Sequence, residues 1–204
     1  MYELLLVSQS PRRRELLEDA GFSFRVDTVE ISEIIEENIN LRTAVARVAR
    51  AKAWAYWQDH KHMKSQDILI LSADTVVVLD GRVLGKPKSS TEAMQFLRLL
   101  SGKTHSVITG IAILNAKSEE IFETSDLTEV QFRQLTEQEI ADYVATGEPM
   151  DKAGAYGIQG LGRALVDNFK GSLSNVIGLP LELLEKSLIE KGWHVARRNH
   201  PKKY

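Results

Sequence analysis

Apolar positions along this chain switch repeatedly between two spacings. A continuous apolar run at residues 4–8, LLLVS, reads as a buried strand, and it passes at once into residues 11–20, PRRRELLEDA, where the spacing becomes helical. Ser10 stands at the N-cap position of that helix. Pro11 stands at N1, where a missing N–H costs nothing, and Gly21 follows the C-terminus. Residues 22–26 read as a second strand. After the acidic, irregular stretch EISEIIEEN, residues 41–58 carry the longest helical pattern. Two apolar runs at 68–73 and 76–79 come next, and Asp80 with Gly81 marks a hairpin turn. SSTE from Ser89 spells a capping box for a helix that Gly102 closes, and TEQE from Thr136 opens another that Gly147 closes. Long strands at 105–114 and 121–134 lie between those helices. Residues 152–162 are glycine-rich and loop-like, 164–169 read as a strand, and Pro180 begins a last helix to about Lys191. With no solenoid repeat and no low-complexity linker, the alternation predicts one mixed α/β domain over 1–195, followed by a solvated basic tail at 196–204.

Composition narrows the possible partners. The chain has 204 residues, 43% hydrophobic and 26% charged, enough for a full core, and its formal net charge is only -2. That balance provides no global basic field for nucleic acid or an anionic membrane, so any anion site is local. The absence of cysteine excludes disulfides, zinc–thiolate centres and thiol nucleophiles. The opening MYELLLVSQS lacks a basic n-region, and its apolar run is too short for a signal peptide or a membrane span, so a cytoplasmic protein is expected.

The first helix then poses an electrostatic problem. A helix N-terminus presents unpaired N–H groups and about half a positive charge, yet Arg12, Arg13 and Arg14 occupy its first turn. The turn from Ser8 to Arg13 gathers free amides, two hydroxyls and guanidinium groups, which together suit a phosphate or polyphosphate. The plainer alternative is that Arg12 and Arg14 splay into water. Arg13, at N3, is best placed to reach back to an anion.

Three further segments supply chemistry. Leu41, Val45 and Val48 share one side of the long helix, and Lys52 continues that stripe. Its ammonium either snorkels to the edge or meets an anion. In ILILSADTVVVLDG a carboxylate, Asp74, interrupts two strand-like runs, at the kind of strand end where open sheets hold ligands. The alternative there is an Asx turn or bulge. Lys86 lies between Gly85 and Pro87, either in a rigid loop aimed at a ligand or simply on the surface. DKAGAYGIQGLG matches neither the dinucleotide nor the P-loop glycine spacing, but it sets Gln159 among glycines just after Asp151 and Lys152. The five histidines do not stand at metal-ligand spacing and remain unassigned.

Taken in order, SQSPRRRELL, RVARAKA, SADTVVVLDGRVLGKP, LSGKTHSVITGIAI, GEPMDKAGAYGIQGLG and GSLSNVIGLPL resemble the Maf family of nucleoside triphosphate pyrophosphatases, from about residue 4 to 185. The resemblance implies a two-lobed fold akin to the inosine triphosphatase superfamily, with an elongated mixed β-sheet flanked by helices and a possible homodimer. It also implies hydrolysis of a nucleoside triphosphate to monophosphate and pyrophosphate with a divalent metal, Mg²⁺ or Mn²⁺. Carried over by position, Asp74 is the general base and a metal ligand. Glu33 is a second metal ligand, with Glu30 as its competitor. Ser8, Arg13, Lys52 and Lys86 handle phosphate, the two lysines as part of the catalytic set. Arg12, Thr75 and Gln159 occupy the positions associated with base preference, and their combination resembles the branch acting on dTTP and UTP. A glutamine amide offers a donor and an acceptor side by side, matching uracil and thymine. The competing class is a non-catalytic nucleotide-binding regulator of septum formation. Within enzymes, the rival is the same chemistry on a modified nucleotide.

Overall fold

The structure, a computed structural model, describes residues 1–32, 35–36 and 39–198. Along the chain run β1 (Glu3–Val7), α1 (Pro11–Asp19), β2 (Phe24–Asp27), α2 (Leu41–Asp59), β3 (Ile68–Leu79), β4 (Arg82–Leu84), α3 (Ser90–Leu100), β5 (Thr104–Asn115), β6 (Ile121–Phe132), α4 (Glu137–Ala145), β7 (Val166–Lys170), α5 (Leu173–Ile177) and α6 (Leu181–Glu190). The strands form one mixed sheet in the order β2-β1-β3-β5-β6-β7, with β4 attached to β3. β1 pairs in parallel with both β2 and β3, whereas β3 with β4 and β6 with β7 are antiparallel. The α/β class is therefore as the alternating pattern predicts.

Four local expectations are corrected. The two apolar runs around SADT are one continuous strand, because the polar residues find partners without leaving the ladder. Ser72 Oγ donates to the Ala49 carbonyl at 2.6 Å, and Asp74 pairs with Lys52. Asp74 thus lies within a strand, two residues beyond Ser72, where the pairing with β1 ends. β4 is the return strand of the hairpin that Asp80 and Gly81 mark, but α5 is absent from the pattern, since five residues are too few to show a period. At Ser89 the cap forms on one side only: Glu92 bonds the Lys88 amide instead of closing the box. The first three residues of the expected basic tail, Ala196, Arg197 and Arg198, return to the turn after α1, and the rest of it lies outside the described residues. Ser23 N donates to Ala196 O at 3.0 Å, Arg198 N to Gly21 O at 2.7 Å, and the Arg197 guanidinium lies 3.7 Å above the Phe22 ring.

The chain packs as two compact units. Residues 1–74, 109–126 and the described part of 178–204 make the first; 75–108 and 127–177 make the second. In the first unit β1, the first half of β3 and β5 from Thr109 onward are buried on both faces, which is why they read as unbroken apolar runs, whereas the edge strand β2 is largely exposed. Leu4, Leu6, Leu69, Leu71, Ile111 and Ile113 pack with Leu17 of α1 and Leu184 and Leu188 of α6. Their alternates Leu5, Val7, Ile68, Ile70, Ala112 and Leu114 pack with Ala49, Ala53, Tyr56 and Trp57 of α2. In the second unit, Phe96 and Leu97 of α3 and Ile140 and Val144 of α4 cover Val77, Leu79, Val107 and Phe132. Among the described residues no helix is long and apolar enough to cross a membrane.

Two features set tolerances. α2 lies so close to β5 that a Cβ at Gly110 would stand 2.6 Å from the Ala46 backbone. Gly110→Ala is expected to cost about 1–3 kcal/mol, read as a lower urea midpoint; an unchanged midpoint overturns that packing argument. In the second unit His105 bonds the Tyr156 hydroxyl at 2.8 Å, while its Nδ1 is buried without a partner among the described residues. Burial pulls this imidazole down to about 4 from its ordinary 6.5. The unfolded chain therefore binds the extra proton between those values, and stability falls as pH drops through that window. The urea midpoint is expected to fall more steeply from pH 7 to 4.5 in the unaltered chain than in His105→Gln; equal slopes overturn the assignment.

Candidate active site

In the first unit the ends of β1 and β2, the middle of β3 and the helices α1 and α2 bring four of the expected residues together. Where β1 stops, Ser8 N donates to Asp27 O of β2 at 2.9 Å, and Ser8 Oγ accepts from Ser10 N at 3.1 Å. Ser10 is the N-cap of α1, but its side chain makes no capping bond. The same Ser8 Oγ accepts from Arg13 Nη1 at 3.3 Å. Arg13 also donates from Nη1 to Ala73 O at 2.9 Å and from Nε to Gly178 O at 2.8 Å. The misplaced positive charge in the first turn of α1 is thus partly answered within the protein. A guanidinium with rigid forked donors spans α1, β3 and the segment before α6. Arg14 turns outward to Glu18 at 2.9 Å, and Arg12 is half-buried.

Lys52 and Asp74 form the centre of this group. Lys52 Nζ lies 2.7 Å from Asp74 Oδ1 and 3.4 Å from Ala73 O. Their side chains are only 11% and 10% exposed, so neither charge relies on bulk water. Removing one partner from such a pair costs about 3–5 kcal/mol, whereas replacing both by apolar residues is often neutral or better. A buried pair is therefore weak evidence for stability. It makes stronger sense as a device that fixes a carboxylate at one place. The Ser72–Ala49 bond lies one helical turn before Lys52 and sets the height of α2 on β3. The stripe of residues 41, 45, 48 and 52 thus resolves the snorkelling question, since Lys52 meets an anion.

The donor set suits a hard divalent ion held mostly by substrate. Asp74 presents carboxylate oxygens beside the cationic Lys52, and Mg²⁺ typically takes one or two carboxylates together with phosphate oxygens and water. Among the described residues there is no cluster of three or more His, Asp or Glu side chains able to hold a metal alone. Glu33 lies outside the described residues.

The second unit carries the remaining expected residues. Thr75 follows Asp74 directly in β3 and is half-buried. Lys86 is exposed between Gly85 and the buried Pro87, and Gly85 O accepts from Gly154 N at 3.0 Å. The lysine loop is thereby tied to the glycine-rich segment. Lys152 Nζ bonds Asp151 Oδ1 at 2.7 Å and Glu148 O at 2.6 Å, so Asp151 and Lys152 satisfy each other. Gln159 is exposed.

Two further pairs of residues lie outside the expectations drawn from the sequence. Tyr56, one turn beyond Lys52, donates to Asp27 Oδ2 at 2.7 Å. Burial first, then Asp27, raises the Tyr56 hydroxyl well above its ordinary value, while that hydroxyl and the Thr28 amide lower the Asp27 carboxyl. The i+4 spacing from Lys52 was available to suggest Tyr56; Asp27 stands too far off in sequence. The second pair is Tyr143 with Glu148, joined at 2.9 Å. Burial acts to raise the Glu148 carboxyl, and the amides of Gly162 and Leu161 with the Tyr143 hydroxyl outweigh it, leaving the value lowered.

Similarity to known proteins runs along most of the chain. The profile described as Maf-like protein matches residues 3–191. The dTTP/UTP pyrophosphatase of Desulfitobacterium hafniense (strain Y51) is 49% identical over 188 residues, covering 91% of this chain and 83% of the relative. That of Bdellovibrio bacteriovorus is 45% identical over 188 residues, covering 92% and 97%. The enzyme of the same description from Escherichia coli (strain UTI89 / UPEC) is 46% identical over 181 residues, covering 89% of each. A profile match across almost the whole chain, and near-half identity over most of these relatives, make this chain a member of the Maf family.

Proposed function

We propose that this protein hydrolyses dTTP and UTP to the monophosphate and pyrophosphate, in the cytoplasm and on free nucleotides. The observation that carries the reading is the Lys52–Asp74 pair, a carboxylate held at 2.7 Å by an ammonium in a nearly dry setting beside Ser8 and Arg13. The relatives named dTTP/UTP pyrophosphatase support the choice of substrate.

Asp74 orients a water toward the α-phosphorus and accepts its proton. The new O–P bond forms as the bond from the α-phosphorus to the α,β-bridging oxygen breaks, and pyrophosphate departs with that electron pair. Lys52 fixes the carboxylate through Oδ1. Arg13, Ser8 and Lys86 offset the negative charge that grows on the leaving group, an electrostatic contribution already in place before reaction. Asp74, with Glu33, would hold the Mg²⁺ or Mn²⁺, which when bound supplies charge neutralisation at the phosphate oxygens. Arg12, Thr75 and Gln159 set base preference. The Gln159 amide gives a donor to O4 and an acceptor to N3–H of uracil or thymine, and a base that mismatches leaves those groups unpaired.

Asp74→Asn is expected to lower kcat for pyrophosphate release from UTP with Mg²⁺ by about 10²–10⁴-fold, while the nucleotide dissociation constant shifts far less. Retained turnover in this variant removes Asp74 as the base. Metal-dependent nucleotide binding without any pyrophosphate release by the unaltered chain would instead favour a binding regulator. Gln159→Glu is expected to reduce the ratio of kcat/KM for UTP over CTP; an unchanged ratio shows that another residue reads the base.

A further inference from the structure

Gln159 sits in a segment with little intrinsic order. Gly157 and Gly160 flank it, and Gly160 has φ +67°, in the left-handed region. Fixing one free backbone residue costs about 1–2 kcal/mol. A base-reading amide on a loose loop would lose its discrimination to that ordering, since selectivity by hydrogen bonds depends on donors and acceptors already in place.

The segment is tied on both sides of Gln159, and both ties lead to one carboxylate. Two residues before it, Gly157 N donates to the Tyr143 hydroxyl at 3.2 Å. Two and three residues after it, Leu161 N donates to Glu148 Oε2 at 3.1 Å and Gly162 N to Glu148 Oε1 at 3.0 Å. The Tyr143 hydroxyl in turn donates to Glu148 Oε1 at 2.9 Å, closing the bracket. The carboxylate packs directly against the loop, since a Cβ at Gly160 would stand 2.9 Å from Glu148 Oε2. Between the ties Ile158 is buried while Gln159 is exposed. Lys152 directs its hydrogen bonds to the Glu148 backbone carbonyl and the Asp151 carboxylate, and its charge adds to the loop's hold on the Glu148 carboxylate.

An ionised carboxylate is acceptor only and has capacity for all three donors, two amides and a hydroxyl. An amide of the same shape is not equivalent: its NH₂ would face either a backbone N–H or the tyrosine O–H, and at least one tie would be lost.

From this geometry we infer that Glu148, acting through Tyr143 and the amides of residues 157, 161 and 162, is a specificity-determining positioning residue that fixes Gln159 before a nucleotide arrives. The inference rests on the reading of Gln159 as the base-contacting residue. It adds that selectivity is set jointly by the amide and by a carboxylate remote from it in sequence.

The test uses the full chain with Glu148→Gln and two measurements. The first is kcat/KM for UTP and for CTP, followed by pyrophosphate release with Mg²⁺. The second is hydrogen–deuterium exchange over residues 157–162. The UTP-to-CTP ratio is expected to fall by about tenfold or more, with faster exchange confined largely to that segment. Parallel losses on both substrates, or faster exchange with an unchanged ratio, overturn the inference, because Glu148 would then serve stability or turnover and not selection. Unchanged exchange overturns it as well. If Glu148→Gln does not fold, Tyr143→Phe removes the hydroxyl while keeping the ring, and the same two measurements decide. A UTP preference abolished by Gln159→Glu but kept by Glu148→Gln sinks this inference alone. No preference in the unaltered chain sinks the base-reading assignment with it.

Discussion

A lysine and an aspartate share a nearly dry site in the first unit, and much of that unit is arranged to let them meet. The ammonium must reach a strand from a helix packed on the face of the sheet, so the helix has to lie low. α2 achieves this with small residues, Ala44, Ala46, Ala49 and Ala53, all buried, and with Gly110 of β5 beneath Ala46. The Ser72–Ala49 bond then fixes the height of the helix one turn before Lys52. Small side chains, a glycine and one buried hydroxyl thus act together on the position of a single charged group.

The same economy appears at the first helix. Three arginines at a positive helix end are unfavourable unless negative charge or good acceptors lie near. The protein supplies acceptors of its own: Arg13 is gripped by two backbone carbonyls and a serine hydroxyl, and Arg14 pairs with Glu18. Ala73 O serves Arg13 and Lys52 together, so the two cations are registered to one peptide group adjoining Asp74. Cations held this way need little rearrangement to meet an anion, which is the condition for large electrostatic effects at a reacting centre.

What was legible in the sequence follows the range of each interaction. The N1 proline, the capping boxes and the apolar runs are local, and the elements they predict form. Lys52 was legible because a helical stripe carries it. Asp74 was legible as a carboxylate amid apolar residues, though the sequence could not show that its partner would keep the strand unbroken. Tertiary ties were not legible. Nothing local in EPMD announces that Glu148 will bind amides thirteen and fourteen residues later. Nothing in ARRN predicts that Arg197 will cover Phe22. Both depend on chain return, which no period encodes.

The first unit is threaded from three separated stretches of sequence, and its earliest part is completed by its latest. Arg13 takes its acceptor from Gly178, 165 positions onward, and the core beside Leu4 and Leu6 includes Leu184, Leu188 and Trp193. On a ribosome, which releases the N-terminus first, the arginine-bearing turn therefore waits for the final helix before its scaffold can close. An incomplete nascent chain has the signature motif of the family but not the architecture that gives it purpose.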